Sequence, residues 1–167
     1  MKNKSATLST RCGLCIVLLF LGFTDTSAQH NRLDKVRQLY DSIKAYHIES
    51  PETVLATVIV ETGWLECKDC SLGMNNLFGF RSTNNYVVFA NTSQCLVYMK
   101  KWQEAFYGPW KAKHPAGSYY DFLCYVKYAA DMPRYVRNVK SLERWVWANL
   151  NTPKPENDEL VVLQNTN

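Results

Sequence analysis

Glu61 closes the apolar stretch Leu55-Ala56-Thr57-Val58-Ile59-Val60, and of all the acids in the chain it sits in the least polar context. Burial there disfavours the charged form. The negative end of a helix macrodipole acts in the same direction, so both effects raise the pKa and keep a proton on the carboxyl near neutral pH. A protonated carboxyl in a cleft is the group that glycosidic cleavage uses on its leaving oxygen. The position also fits a glutamate that turns outward into water at a helix end, as most helix-end charges do.

Cysteine supplies the other reactive chemistry. Four of the six cysteines, Cys67, Cys70, Cys95 and Cys124, lie beyond the N-terminal region, and in an exported chain an even number reads first as disulfides. Cys67-x-x-Cys70 has the spacing of half a zinc site. Cys95 and Cys124 stand alone with no histidine near them, so no metal is expected. No strand-to-helix pattern surrounds the pair, which argues against a thioredoxin-like redox role. No cofactor is expected either.

The elements that must position these residues follow from periodicity. Leu33, Val36, Leu39, Tyr40 and Ile43 recur at helical spacing and predict an amphipathic helix to about Tyr46. Ser50-Pro51-Glu52 offers a hydroxyl N-cap, a proline at the first helical position and an acid in the first turn of a second helix. That helix is apolar on nearly every side and should be the buried central one, ending at Gly63. Leu77 to Arg81 and Tyr86 to Ala90 are β-prone, with Ser82 to Asn85 as the hairpin turn. Asn91-Thr92-Ser93 supplies cap candidates for a helix carrying Leu96, Val97, Met99, Trp102 and Phe106; the triplet is also a glycosylation sequon. Gly108 to Gly117, with two prolines and two glycines, reads as a surface loop. Ser118 and Asp121 form a capping-box-like start for a helix through Tyr128. Pro133 interrupts the chain, and a last helix runs from Tyr135 to about Leu150. The expected fold is mostly α (α+β): helices around one small hairpin inserted after the central helix.

The 167 residues suit one domain with a sizeable core. Met1 to Ala28 has the anatomy of a secretory leader: Lys2, Lys4 and Arg11, then an apolar run from Cys12 to Phe23, then small residues at Thr26-Ser27-Ala28. Twelve apolar residues are too few to span a bilayer, so no stable membrane insertion is expected after cleavage. The domain is expected over residues 29–150, with a polar, proline-containing tail over 151–167. With the leader removed, acids and bases nearly balance. There is no basic stripe for neutralising phosphates, which sets nucleic-acid binding aside.

Glu61-Thr62-Gly63-Trp64, followed by Asn75-Asn76-Leu77-Phe78-Gly79-Phe80, resembles the paired signature of the glucosaminidase family, family 73 of the glycoside hydrolases, a mannosyl-glycoprotein endo-β-N-acetylglucosaminidase-like domain. Its members show A-x-x-x-x-E-S/T-G-W/N at a helix end and then N-N-L-F-G. Tyr119-Tyr120-Asp121-Phe122-Leu123 and Tyr128-Ala129-Ala130-Asp131-Met132-Pro133-Arg134-Tyr135 look like the family's Y-x-x-F-L and Y-A-x-D-P-x-Y segments. Together the matches cover about Pro51 to Leu142. The resemblance implies a lysozyme-like fold, with a helical lobe and a small β-lobe bounding a groove.

It also implies a metal-free hydrolase acting on peptidoglycan glycan strands; the leader implies export, periplasmic or extracellular, and a monomer is expected. Glu61 would be the general acid and Tyr128 the active-site tyrosine, placing the substrate amide or steadying a developing charge. Trp64 and Phe78 are candidates for an aromatic floor under a sugar ring, or for core. Asn76 is a candidate partner of the N-acetyl group, or a turn residue. The chain departs from the pattern in having no second glutamate on the hairpin; Glu66 and Asp69 precede it. That departure implies catalysis by one protein acid with the substrate's N-acetyl oxygen as nucleophile, or an Asp69 that reaches the groove. A lytic transglycosylase with the same lobes and a single acid is the second reading, and a catalytically silent wall-binding module the third.

Overall fold

The computed structural model describes residues 26–151 and is mostly helical, with one two-stranded antiparallel sheet among those residues. Residues 1–25 of the expected leader (1–28) and residues 152–167 of the expected tail (151–167) lie outside the described residues. No helix among the described residues is long and apolar enough to cross a membrane.

Helix α1, Thr26–Ala45, buries Val36, Leu39, Tyr40 and Ile43 along one stripe, the face its periodicity predicts. Helix α2, Pro51–Thr62, is the central helix: Thr53 through Ile59 are all buried. Its start corrects one expectation. Ser50 takes a left-handed conformation, φ 55°, and its hydroxyl makes no capping bond, so Pro51 and Glu52 open the helix without it.

The end of α2 is built from three successive left-handed residues, Gly63, Trp64 and Leu65, at φ 53°, 64° and 63°. Thr62 pins this turn, its hydroxyl donating to the Val58 carbonyl at 2.7 Å and accepting from the Leu65 amide at 3.1 Å. A short 3₁₀ turn, Ser71–Met74, leads into the hairpin.

The hairpin strands are shorter than predicted: β1 is Arg81–Ser82 and β2 is Asn85–Tyr86, paired Arg81 to Tyr86 and Ser82 to Asn85. The turn lies where expected. The flanking segments keep one backbone bond, from the Val87 amide to the Phe80 carbonyl at 2.9 Å, and are otherwise held by a side chain. Asn76 is fully buried; its amide nitrogen donates to the carbonyls of Phe80 at 2.8 Å and Val87 at 2.9 Å, and its oxygen accepts from the Phe80 amide at 2.9 Å.

Helix α3, Thr92–Trp102, starts on Asn91, whose side chain accepts from the Gln94 amide at 2.9 Å. It does not end at Gly108. A π turn over Gln103–Tyr107 carries it into α4, Gly108–Lys113, so most of the predicted loop is helix and only His114 to Gly117 turns. Pro109 explains the π turn, because proline lacks an amide and crowds the carbonyl four residues back; widening the ladder by one residue accommodates both.

Helix α5, Tyr119–Tyr125, has the predicted capping box between Ser118 and Asp121, but it stops before Tyr128, with Lys127 in the left-handed region at φ 50°. Helix α6, Met132–Leu150, begins three residues earlier than predicted. Asp131 caps it, accepting from the Arg134 amide at 3.1 Å, and Pro133 sits in the first turn, where a missing amide costs little. Helix α6 packs along α2 and closes the core with Tyr135, Val139, Val146 and Leu150.

Candidate active site

Glu61 is the penultimate residue of α2, half-buried in the wall of a groove of about 710 Å³. The hairpin side contributes Phe78 to Arg81 and Tyr86, the helix α3 side Trp102 and Phe106, and the segment between α5 and α6 contributes Val126 to Ala129. Among the described residues lining it, Glu61 is the only carboxylate.

Two contacts define this carboxyl. The hydroxyl of Tyr135 donates to Oε1 at 2.9 Å. Oε2 lies so close to Gly79 that a β-carbon on that residue would stand 3.3 Å from it. Gly79 itself holds φ 64°, so both its conformation and its missing side chain make room for that oxygen. Burial pushes the Glu61 pKa above the ordinary carboxyl value, and the Tyr135 hydrogen bond, which favours the carboxylate, offsets part of the rise. One oxygen is therefore anchored and the other is left to carry a proton beside the groove.

The structure brings Tyr128 and Phe78 into the same groove lining as Glu61. The Tyr128 hydroxyl donates to the Phe78 carbonyl at 2.8 Å, so its proton ties the α5–α6 segment to the hairpin lobe. Burial, and after it the neighbouring Glu61 charge, holds this phenol far above its ordinary pKa. Its ring lies 5.6 Å from that of Tyr135 and 6.4 Å from that of Trp102. Phe78 lines the groove yet is almost wholly buried, packing on Phe80 at 5.5 Å.

Trp64 and Asn76 do not reach the groove. Trp64, itself in the left-handed turn after Thr62, packs instead on Trp145, their rings edge-on at 4.7 Å. The aromatic surface of the groove is instead Phe80, Trp102 and Phe106, with Trp102 6.0 Å from Phe80 and 5.8 Å from Phe106. Asn76 spends its amide inside the hairpin lobe. Neither Asp69 nor Glu66 lines the groove; Glu66 is exposed and pairs with Arg32 at 2.7 Å.

The expected disulfides reduce to one pair. Cys67 and Cys70 stand at disulfide distance, their Cα atoms 5.9 Å apart, just past the end of α2. Cys95 is buried and Cys124 exposed, each a free thiol. No cluster of three or more metal-ligating side chains occurs among the described residues.

Tyr135 is a site residue to which the sequence reading assigns no role, although it closes the motif-like segment that begins at Tyr128. A signal for it exists: Tyr135 shares a helix face with Val139, Leu142 and Val146, which turns it toward α2. Trp102 and Phe106 have the helical spacing of a buried stripe, yet Phe106 is 54 % exposed. Compared with known protein families, curated proteins and solved structures, the chain gives no match.

Proposed function

We infer that the chain is an exported peptidoglycan hydrolase that cleaves β-1,4 N-acetylglucosaminyl bonds, with Glu61 as general acid. The observation that carries this reading is the Glu61 carboxyl itself: burial favours its protonated form, one oxygen is held by Tyr135, and the other is free beside an aromatic groove. A pyranose presents a face of C–H groups that packs on aromatic rings, and Phe80, Trp102 and Phe106 supply such a surface next to the acid. The helical lobe and inserted hairpin around the groove are consistent with the lysozyme-like arrangement that the motif resemblance implies.

In this mechanism Glu61 delivers its proton to the glycosidic oxygen as the bond to C1 breaks. With no other carboxylate lining the groove among the described residues, the acetamido oxygen of the substrate closes on C1 and forms an oxazolinium. The Glu61 carboxylate then takes a proton from the water that opens this ring. Tyr135 steadies the carboxylate between the two steps, since its hydrogen bond favours the charged form.

The single carboxylate equally supports a lytic transglycosylase, in which a sugar hydroxyl replaces water and leaves an anhydro end. Digestion of purified peptidoglycan by the wild-type chain and by Glu61→Gln, with mass analysis of the new ends, separates the readings. Reducing N-acetylglucosamine ends from the wild type alone are expected. Anhydro ends would favour the transglycosylase, and sedimentation with the wall without clearing it would leave a binding module.

A further inference from the structure

The two cations in the groove have no role in the acid chemistry. Arg81, on β1, holds its guanidinium 4.3 Å above the ring of its cross-strand partner Tyr86, which fixes the fork in the groove wall. Lys127 enters from the segment after α5, with its amide donating to the Cys124 carbonyl at 3.1 Å. Its φ of 50° is a conformation that glycine takes at no steric cost and lysine does not. Both side chains belong to exposed residues, and no carboxylate among the described residues forms an ion pair with either. Burial holds the one acid of the groove toward its neutral form, so the lining carries net positive charge.

A neutral polymer of N-acetylglucosamine offers such a pair hydroxyl and amide oxygens but no opposite charge. A peptidoglycan strand offers that charge, because every second sugar carries a lactyl ether that ends in a carboxylate or bears a peptide with free carboxylates. We propose that Arg81 and Lys127 are specificity residues that bind the carboxylates of the lactyl-peptide branches, selecting an anionic glycan strand over a neutral one. This rests on the reading of the groove as a peptidoglycan site.

The test measures binding with Glu61→Gln protein, so that turnover does not interfere, against soluble strands with peptides, peptide-stripped strands and chitohexaose. Anionic strands should bind more tightly than chitohexaose, and only their affinity should fall as salt rises, since exposed charges are screened. Adding Arg81→Gln or Lys127→Gly should weaken anionic strands about two- to fivefold each, beyond any change with chitohexaose. Lys127→Gly removes the ammonium while relieving the backbone, so it keeps the test valid if Arg81→Gln fails to fold. Retained discrimination by peptide-stripped strands assigns the lactyl carboxylate, and its loss assigns the peptide. Equal affinities with equal salt response, or variants that weaken all three ligands by one factor, overturn the proposal. Charge-selective binding by a wild-type chain that cleaves nothing would sink the hydrolase reading alone.

Discussion

The Tyr135 hydroxyl donates to Oε1 of Glu61 at 2.9 Å, joining the start of α6 to the end of α2 across 74 positions of sequence. Because this bond favours the carboxylate, Tyr135→Phe should raise the Glu61 pKa further and move the alkaline limb of any activity to higher pH. The maximal rate should fall, since the carboxylate formed after proton transfer loses its donor. A pH–rate profile of the variant that overlays the wild type would remove Tyr135 from the site.

Glu61→Gln should abolish hydrolysis, a loss on the order of a hundred- to ten-thousand-fold for removed acid catalysis. It should also change how stability depends on pH. The folded-state pKa is raised, so the protonated form favours folding, and that contribution disappears as pH rises from the ordinary carboxyl range through the raised value. The glutamine variant has no proton to lose. Denaturant midpoints should therefore shift in its favour as pH crosses that window and level off above it; a constant difference across pH would mean that Glu61 is not desolvated in solution.

Trp64→Ala should cost stability and leave activity per folded molecule nearly intact, because the indole packs on Trp145 away from the groove. For a half-buried ring the loss should be on the order of 2–3 kcal/mol, below the about 3–5 kcal/mol of a fully buried one. Phe106→Ala should do the reverse, raising KM with little change in the denaturant midpoint, since that ring is 54 % exposed at the groove. The contrast between the two KM values is the measurement.

Asn76→Ala should disorganise the hairpin lobe, leaving the Phe80 amide and the Val87 carbonyl without their partner, while the Phe80 carbonyl keeps only the Val87 amide. Each buried group left unpaired costs about 1–3 kcal/mol. Chemical-shift changes should centre on residues 76–89, with activity lost together with the lobe.

Alkylation without reductant should modify Cys124 in the native chain, Cys95 only after unfolding, and neither Cys67 nor Cys70 until reduction. Burial pushes the Cys95 thiol up to about 11, which leaves little thiolate at neutral pH. Rapid native labelling of two cysteines would show that Cys95 is not enclosed.

What the sequence determined by itself is local. The apolar run of α2 placed a desolvated carboxyl at Glu61, Ser118 and Asp121 set their capping box, and Val36, Leu39, Tyr40 and Ile43 named the buried face of α1. These are properties of neighbouring residues and their spacing. Where local rules met a competing contact, they misled. Gly108 and Pro109 have the composition of a loop, but a π turn absorbs them into helix, and the β-prone flanks of the hairpin keep one backbone bond and take the rest of their hydrogen bonds from the Asn76 side chain. Beyond Glu61, Phe78 and Tyr128, the make-up of the groove depended on tertiary structure. Trp64, in the left-handed turn after Thr62, packed on Trp145, and the packing of α6 on α2 brought Tyr135 to Glu61. The hairpin and the α5–α6 segment then met through Tyr128 and Phe78. Periodicity can say that a side chain leaves the surface of its own helix, but which distant element it meets is fixed only when the core closes.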